Sequence, residues 1–318
     1  MPVVGILYKD HDGLGDERPF SDKNTHTAYS LFSTYAVREG LHVVLGKPED
    51  YRDRRLKTAW DLLLGNQVHD VAINACWDRS IAEGPEFFLQ TQGLLEAIAA
   101  EMPLVNHPEL VRISEDKYET FRQLPEYVPH TLLGTELKQA RAMFSGRVVT
   151  KPRYGSHGND VTICDISEVG RLGDDFIIQP FIDSTRGIPG IIDGAHDLRV
   201  TMLNDTIADT YLRYSETSLL SNVSKGGKMK MLDKAQLPPA VIAAAREIDM
   251  RFAAFTPRFY SIDFMLEGER PWVVELNKAP GIWGHIVTGV SSAYFEKLCT
   301  DIIRAFIESM QHPPGRPR

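Results

Sequence analysis

The residues able to do chemistry lie mostly in the second half of the chain. Tyr260-Ser261-Ile262-Asp263-Phe264 is followed by Val273-Val274-Glu275-Leu276-Asn277. Both segments read as buried strands joined through Glu267-Gly268-Glu269-Arg270, a good hairpin turn. Glu275 and Asn277 are two residues apart, so on a strand they share a face. Asp263 on the partner strand is expected to face them. Two carboxylates and an amide oxygen in an apolar setting need a cation, because burying such charge uncompensated is expensive. Oxygen donors suit Mg2+, which shares its shell with substrate phosphates. The competing reading is a set of polar residues at a sheet edge, facing solvent.

Cationic groups that suit phosphate recur upstream. Val148-Val149-Thr150-Lys151 ends an apolar strand with a Lys and runs into a loop containing Gly155, Ser156, His157 and Gly158. Such a loop can lay backbone N–H groups over anionic oxygens, and the Lys supplies a point charge. It is not a Walker A pattern, and a plain hairpin loop with a surface Lys competes. Asp116-Lys117 opens a helical segment, where a lone Lys is commonly solvated. Asp197-Leu198-Arg199 starts one strand and Arg213 ends the next, so the two Arg are placed to converge on an anionic transition state. Cross-strand surface pairing with acids is the alternative. The polar loop 221–228, with Asn222, Lys225 and Gly227, is either mobile or closes over a ligand.

These groups need elements to position them. The first hundred residues alternate apolar strands (2–8, 41–45, 68–74, 102–106) with helical segments (25–40, and from Pro85 to about 101). That alternation predicts a parallel sheet with helices on both faces. No GxGxxG follows the first strand, which disfavours a dinucleotide-dependent redox enzyme. Residues 11–24 read as a polar loop. A second region, 107–178, begins with short helices and continues with strands at 128–133 and 148–151. A third, 179–311, carries strands at 198–203, 207–214, 259–266 and 272–276 and a closing helix at 291–310. The tail, 312–318, is Pro-rich and expected to be disordered.

Bulk properties narrow the class. The chain has 318 residues, 43% hydrophobic and 25% charged, with a formal net charge of −8. An acidic balance argues against general nucleic-acid binding. No stretch approaches the length of a membrane helix. Cys76, Cys164 and Cys299 are far apart, form no CxxC pair and read as inert thiols. An odd cysteine count, with an N-terminal apolar run too short for a signal sequence, points to a reducing, cytoplasmic setting.

Taken in order, the segments resemble the ATP-grasp superfamily, specifically its RimK-like and glutathione-synthetase-like branch, over roughly residues 102–306. PLVNHPELVRISEDKYET is similar to its strand, Asn-x-Pro and Asp-Lys entry, and KPRYGSHGNDV to its KPxxGxxGxxV loop. IIQPFI resembles the adenine hinge. DLR, YLRY and SNVSKGG resemble its DxR, Arg and Asn-x-x-x-Gly-Gly series. IDF and VVELNKAPGIWG resemble its Asp and ExNxxPG metal segment.

The resemblance implies a mixed α/β and α+β fold of three lobes. An N-terminal α/β lobe, 1–106, would precede two subdomains, 107–178 and 179–311, that grip ATP between antiparallel sheets. It implies ATP phosphates on Lys117 and Lys151, under a lid formed by Gly155, Ser156, His157 and Gly158. Adenine would lie against Gln179, Phe181 and Ile182, and one or two Mg2+ (Mn2+ as a substitute) on Asp263, Glu275 and Asn277. Arg199, Arg213 and Asn222 would attend the transferring phosphoryl or acyl group. Lys225, with Lys228 and Lys230 nearby, departs from the usual pattern.

The activity implied is an ATP-dependent carboxylate–amine ligase that forms an amide through an acyl-phosphate. Its substrate would be an amino acid, small peptide or related carboxylate, free or within a protein. A kinase on the same architecture, or a nucleotide-binding regulator, is the alternative. The acceptor is the main blank. The N-terminal loop residues His11, Asp12, Asp16, Glu17 and Arg18, with His26 and Tyr29, match no pattern. Trp77, Asp78 and Arg79 follow a strand end, where open α/β sheets bind ligands. Trp283 and His285 are expected to wall the carboxylate pocket. The basic run Arg52, Arg54, Arg55 and Lys57 reads as a solvated helix face, or as a dock for an acidic substrate. A homodimer is the default oligomer.

Overall fold

A computed structural model describes residues 1–8, 19–20, 22–80, 84–155, 160–214, 228–289 and 292–311. The strand–helix alternation of the N-terminal third builds a mixed sheet, parallel on one side and antiparallel on the other, so the fully parallel sheet expected is corrected. Its elements are β1 (Val3–Leu7), α1 (Lys23–Arg38), β2 (His42–Gly46), β3 (Tyr51–Arg52), β4 (Arg55–Asp61), β5 (Asn66–Ala72), β6 (Ala75–Asp78), α2 (Pro85–Glu101) and β7 (Leu104–Val105). The strand order is β3-β4-β2-β1-β6-β7, with β5 on the outer side of β4. β1 runs parallel to β2 and β6, and β6 parallel to β7. α1 starts where the Asp22 carboxylate accepts the Thr25 N–H at 2.8 Å, an N-cap that satisfies a free donor of the first turn.

Two further expectations for this region are corrected. The run from Arg52 to Lys57 is a hairpin, not a helix. Asp53 and Arg54 take φ of 49° and 59° and turn β3 into β4, and the Arg55 guanidinium pairs with Asp70 at 2.6 Å. The segment 68–74 is not the third parallel strand. β5 is an antiparallel edge, and the central place beside β1 goes to β6, whose residues are all buried. A two-sided parallel strand must be apolar on both faces, and Ala75-Cys76-Trp77 meets that need better than the alternating β5.

Next come α3 (Pro108–Glu115), α4 (Lys117–Gln123), β8 (Leu132–Leu133), α5 (Leu137–Met143), β9 (Arg147–Pro152), β10 (Thr162–Asp165) and β11 (Phe176–Pro180). They form a four-stranded antiparallel sheet, order β10-β9-β11-β8. The strand expected over 128–133 is confined to Leu132–Leu133. The last sheet has five strands, β12 (His196–Leu203), β13 (Thr206–Tyr214), β14 (Lys228–Met231), β15 (Phe259–Glu267) and β16 (Arg270–Asn277), in the order β14-β13-β12-β15-β16. Gly268, with φ of 64°, makes the tight turn from β15 to β16.

Period-2 alternation decides which way this sheet faces. Leu198, Val200, Met202, Leu212, Ile262, Phe264 and Val273 pack against α6 (Pro239–Arg251). The intervening polar residues therefore look the other way. α7 (Gly284–Thr288) and α8 (Ser292–Gln311) complete the described chain. α8 buries Phe295, Leu298, Ile302, Ile303 and Phe306 at helical spacing. That face joins α1 and Trp77 in the core of the first sheet, so the end of the chain returns to its beginning. Each such side chain contributes about 1.5–3 kcal/mol on burial. The tail, 312–318, lies outside the described residues.

Candidate active site

The site grows from one sheet face. Across β13, β12, β15 and β16 the register aligns Tyr211, Arg199, Asp263 and Glu275 in a transverse row. One pleat further, Thr201, Ser261 and Asn277 form a parallel row, and Asp197 pairs with Arg213 on the other side. Asp263, Glu275 and Asn277 thus share a face, as their spacing predicts. Among the described residues, no three His, Cys, Asp or Glu side chains gather as a metal cluster. The third oxygen of the expected set comes from an amide.

The arginines converge on Asp263. Arg199 donates from Nε and Nη2 to the two Asp263 oxygens at 2.6 Å each, and from Nη1 to Tyr211 Oη at 3.0 Å. Arg213 Nη2 donates to Asp263 Oδ2 at 2.5 Å and to Asp197 Oδ2. Burial alone would raise the Asp263 carboxyl, but the two guanidiniums hold it below the usual carboxylate value. Burial pushes the neighbouring Asp197 up. Asp197 Oδ1 and Arg213 Nε are buried with no hydrogen-bond partner.

A second polar surface faces this row. In the four-stranded sheet, Ile177 pairs with Lys151 and Val149 with Gln179, so Lys151 and Gln179 share a face. The opposite face carries Leu132, Val148 and Ile178 and packs on α5. Lys151 Nζ crosses to β16 and donates to Val274 O at 2.9 Å. Lys117 Nζ donates to Gly155 O at 2.5 Å and lies 3.5 Å from Glu275 Oε1. Burial, and then the charge of Lys117, lowers the Lys151 ammonium to about 8. Two lysines, two arginines and three carboxylates, from Lys117 to Glu275, are therefore brought together.

Gln179 is buried and donates from Nε2 to Thr131 Oγ1 at 2.7 Å. The Phe181 N–H already bonds Arg147 O at 3.1 Å, and the Arg147 guanidinium lies 4.3 Å from the Phe181 ring centre. The Phe181 N–H is therefore already taken. Ile182 is buried beside it. Ser156, His157, Gly158, Asn222, Lys225 and Gly227 lie outside the described residues, as does most of the loop 11–24.

The expected acceptor contacts fall elsewhere. Trp77 is fully buried, its ring 5.7 Å from those of Phe259 and Phe306, so it is core. Asp78 is also fully buried and ion-paired with Lys278. Arg79 donates to Tyr29 Oη at 2.9 Å and to Pro280 O at 2.6 Å. These three join the first sheet to the segment after β16 and offer no open surface. His285 is buried too, with Nε2 3.3 Å from Asp209 Oδ1 and its ring 4.6 Å from that of Tyr294. Trp283 is half-buried, with its ring over Gly281. A strand end that would bind ligand in an isolated sheet is here covered by the chain's own later segments.

Sequence reasoning also passed over supporting residues. Asp116 caps α4 through the Tyr118 N–H at 3.0 Å and takes Arg153 at 2.7 and 2.5 Å, which fixes the start of the helix bearing Lys117. Asn106 donates to Phe259 O and Lys278 O, both at 2.8 Å. Both sit inside recognisable motifs, yet their partners are too distant in sequence to be guessed.

A family model described as an ATP-grasp domain matches residues 114–281. Among solved structures, a D-cycloserine synthetase is similar, with a TM-score of 0.64 and 15% identity, over 95% of this chain and 99% of that one. A D-Ala:D-Ser ligase from Enterococcus faecalis gives 0.60 and 12%, over 95% and 98%. A RiPP-associated ATP-grasp ligase from Chryseobacterium gregarium, solved with ADP and a leader and core peptide, gives 0.58 and 13%, over 100% and 98%. A search of curated proteins by sequence finds no match.

Proposed function

The chain belongs to the ATP-grasp family, and from that footing we propose that it is an ATP-dependent ligase joining a carboxylate to an amine through an acyl-phosphate. One observation carries the reading. The row of Arg199, Asp263 and Glu275 on the five-stranded sheet faces Lys117 at the start of α4 and Lys151 on β9, with 3.5 Å between Lys117 Nζ and Glu275 Oε1. That concentration of opposite charges suits the phosphates of ATP and a metal ion. The similar structures include ligases for small amino acids and one holding a peptide, which supports an amino acid, small peptide or related carboxylate as substrate.

The residues divide the work by charge. Lys117 and Lys151 bind the phosphates as point charges. Gln179, Phe181 and Ile182 bound the base. A substrate carboxylate oxygen attacks the γ-phosphorus and ADP leaves. Arg199 and Arg213 stand where charge gathers on the transferring oxygens, so preorganised electrostatics lowers the barrier. The amine nitrogen then attacks the acyl carbon and phosphate departs, the nitrogen losing its proton.

Asp263, Glu275 and Asn277 would hold Mg2+, with Mn2+ as a substitute. Their chemistry fits. Asp263 Oδ1 takes one hydrogen bond from Arg199, and Asn277 Oδ1 takes one from the Ala279 N–H, so each oxygen keeps a lone pair. The Glu275 side chain is 24% exposed and lies 3.5 Å from Lys117 Nζ. Mg2+ bound there supplies positive charge to the phosphate oxygens.

The test is release of ADP and phosphate with Mg-ATP across amino acids, amino-acid pairs, dipeptides and small dicarboxylates. Equal ADP and phosphate that depend on a given pair, lowered about a hundredfold or more in Glu275→Gln, are expected. ADP formed without phosphate would replace the ligase reading with a kinase.

A further inference from the structure

Lys278 directly follows Asn277, yet its side chain is 3% exposed. Its ammonium is ion-paired with Asp78, lies 3.3 Å from Glu115 Oε1 and donates to Ser80 Oγ at 3.4 Å. A buried ion pair is weak evidence for stability, because an apolar side chain of similar volume commonly serves packing as well. The placement of its partners supplies a different reason.

Asp78 ends β6, an interior strand of the first sheet between β1 and β7. Glu115 ends α3, directly before Asp116 and Lys117. The main chain beyond Asn277 is held from the same side. Asn106 donates to Lys278 O at 2.8 Å, and Arg79 to Pro280 O at 2.6 Å. Residues 278 and 280 are thus fixed by side chains from the ends of β6 and β7. Asn277 itself bonds locally, to the Ala279 N–H at 2.8 Å. One ammonium therefore touches the first sheet, the segment leading into Lys117 and the residue next to Asn277.

We propose that Lys278 is a positioning residue that sets Asn277 and Lys117 relative to each other and ties both to the first sheet. The proposal rests on the ligase reading above. It makes the Mg2+-assisted binding of nucleotide depend on a group that touches neither nucleotide nor metal. It also links the phosphate side of the site mechanically to the first sheet.

Calorimetric titration with ADP, in the presence and absence of Mg2+, tests this without turnover. Wild type gains ADP affinity when Mg2+ is added. Lys278→Met loses about tenfold or more of the Mg2+-dependent gain, the usual effect of removing a group that orients a metal ligand. Lys278→Arg, which retains the charge, recovers most of the gain. A purely structural role would lower the melting temperature of Lys278→Met and leave the gain intact, and that result overturns the proposal. If Lys278→Met does not fold, Asp78→Asn carries the same test, with the same expected loss and the same overturning result. A wild type whose ADP affinity ignores Mg2+ sinks the metal reading and this proposal together. A responsive wild type with unchanged variants sinks this proposal alone.

Discussion

Arg199 and Asp263 stand directly opposite each other on neighbouring antiparallel strands and meet through two parallel hydrogen bonds of 2.6 Å. Arg213 reaches the same carboxylate from one strand further on. Asp263 is therefore the counter-charge that holds both arginines in place and, in the proposed function, also an oxygen donor for Mg2+. Asp263→Asn should then fail twice. Breaking a buried pair by removing one partner costs about 3–5 kcal/mol, so urea unfolding should show a loss of that order. Turnover should fall below detection in the same variant.

Glu275 gives the contrast. It lies in the same row, but its side chain is 24% exposed and its nearest cation, Lys117, is 3.5 Å away. Glu275→Gln should leave stability within about 1 kcal/mol, as for substitutions free of a buried network. Turnover should fall by about a hundredfold or more, the scale of losing one preorganised electrostatic group. Unfolding curves and ADP release measured on one preparation separate the two carboxylates. Equal destabilisation in both variants would contradict the assignment.

Lys151 predicts a pH dependence. Burial and Lys117 lower its ammonium to about 8, below the ordinary 10.5. A lowered lysine is charged below that value and neutral above it. The unfolded chain holds the extra proton between about 8 and 10.5, so this group's contribution to stability rises with pH across that window. Phosphate binding needs the charged form and runs the other way. ADP affinity should be flat up to about pH 8 and then fall by up to about tenfold per pH unit, with a proton taken up on binding. Lys151→Met should bind ADP about tenfold or more weakly at pH 7, the worth of a charge-assisted hydrogen bond. Its affinity should also lose the fall above pH 8. Calorimetry in buffers of different ionisation enthalpy reads both effects.

Trp77 tests the correction from substrate contact to core. It is fully buried among Phe32, Phe259 and Phe306. Trp77→Ala should cost about 3–5 kcal/mol of stability. Under conditions where the variant remains folded, the order of preference among acceptors should be unchanged. A switch in acceptor preference with stability intact would return Trp77 to the substrate.

Much of this molecule is written locally. The alternation through Leu198, Arg199, Val200, Thr201 and Met202 fixes which side chains of β12 look into the core, because strand side chains alternate with period two. The spacing of Glu275 and Asn277 puts them on one face for the same reason. Phe295, Leu298, Ile302 and Phe306 announce an amphipathic α8. Motif order carried the family. Local signals failed where two patterns compete over a few residues, as in the hairpin at Asp53-Arg54, where positive φ turned a basic run into strands.

What lies opposite a face is not a local property. Nothing near Lys278 in sequence shows that its ammonium will meet Asp78, 200 residues away, instead of water. Nor does anything near Trp77 show that α8 will come back to cover it. The sequence by itself determined most of the elements, the apolar and polar faces of the strands, and the kinds of group that suit a nucleotide. Only the tertiary structure decided which of those groups stay open to a ligand and which are claimed by a partner. That choice depends on long-range packing, where burying a charge or a ring is favourable only once its distant neighbours have arrived.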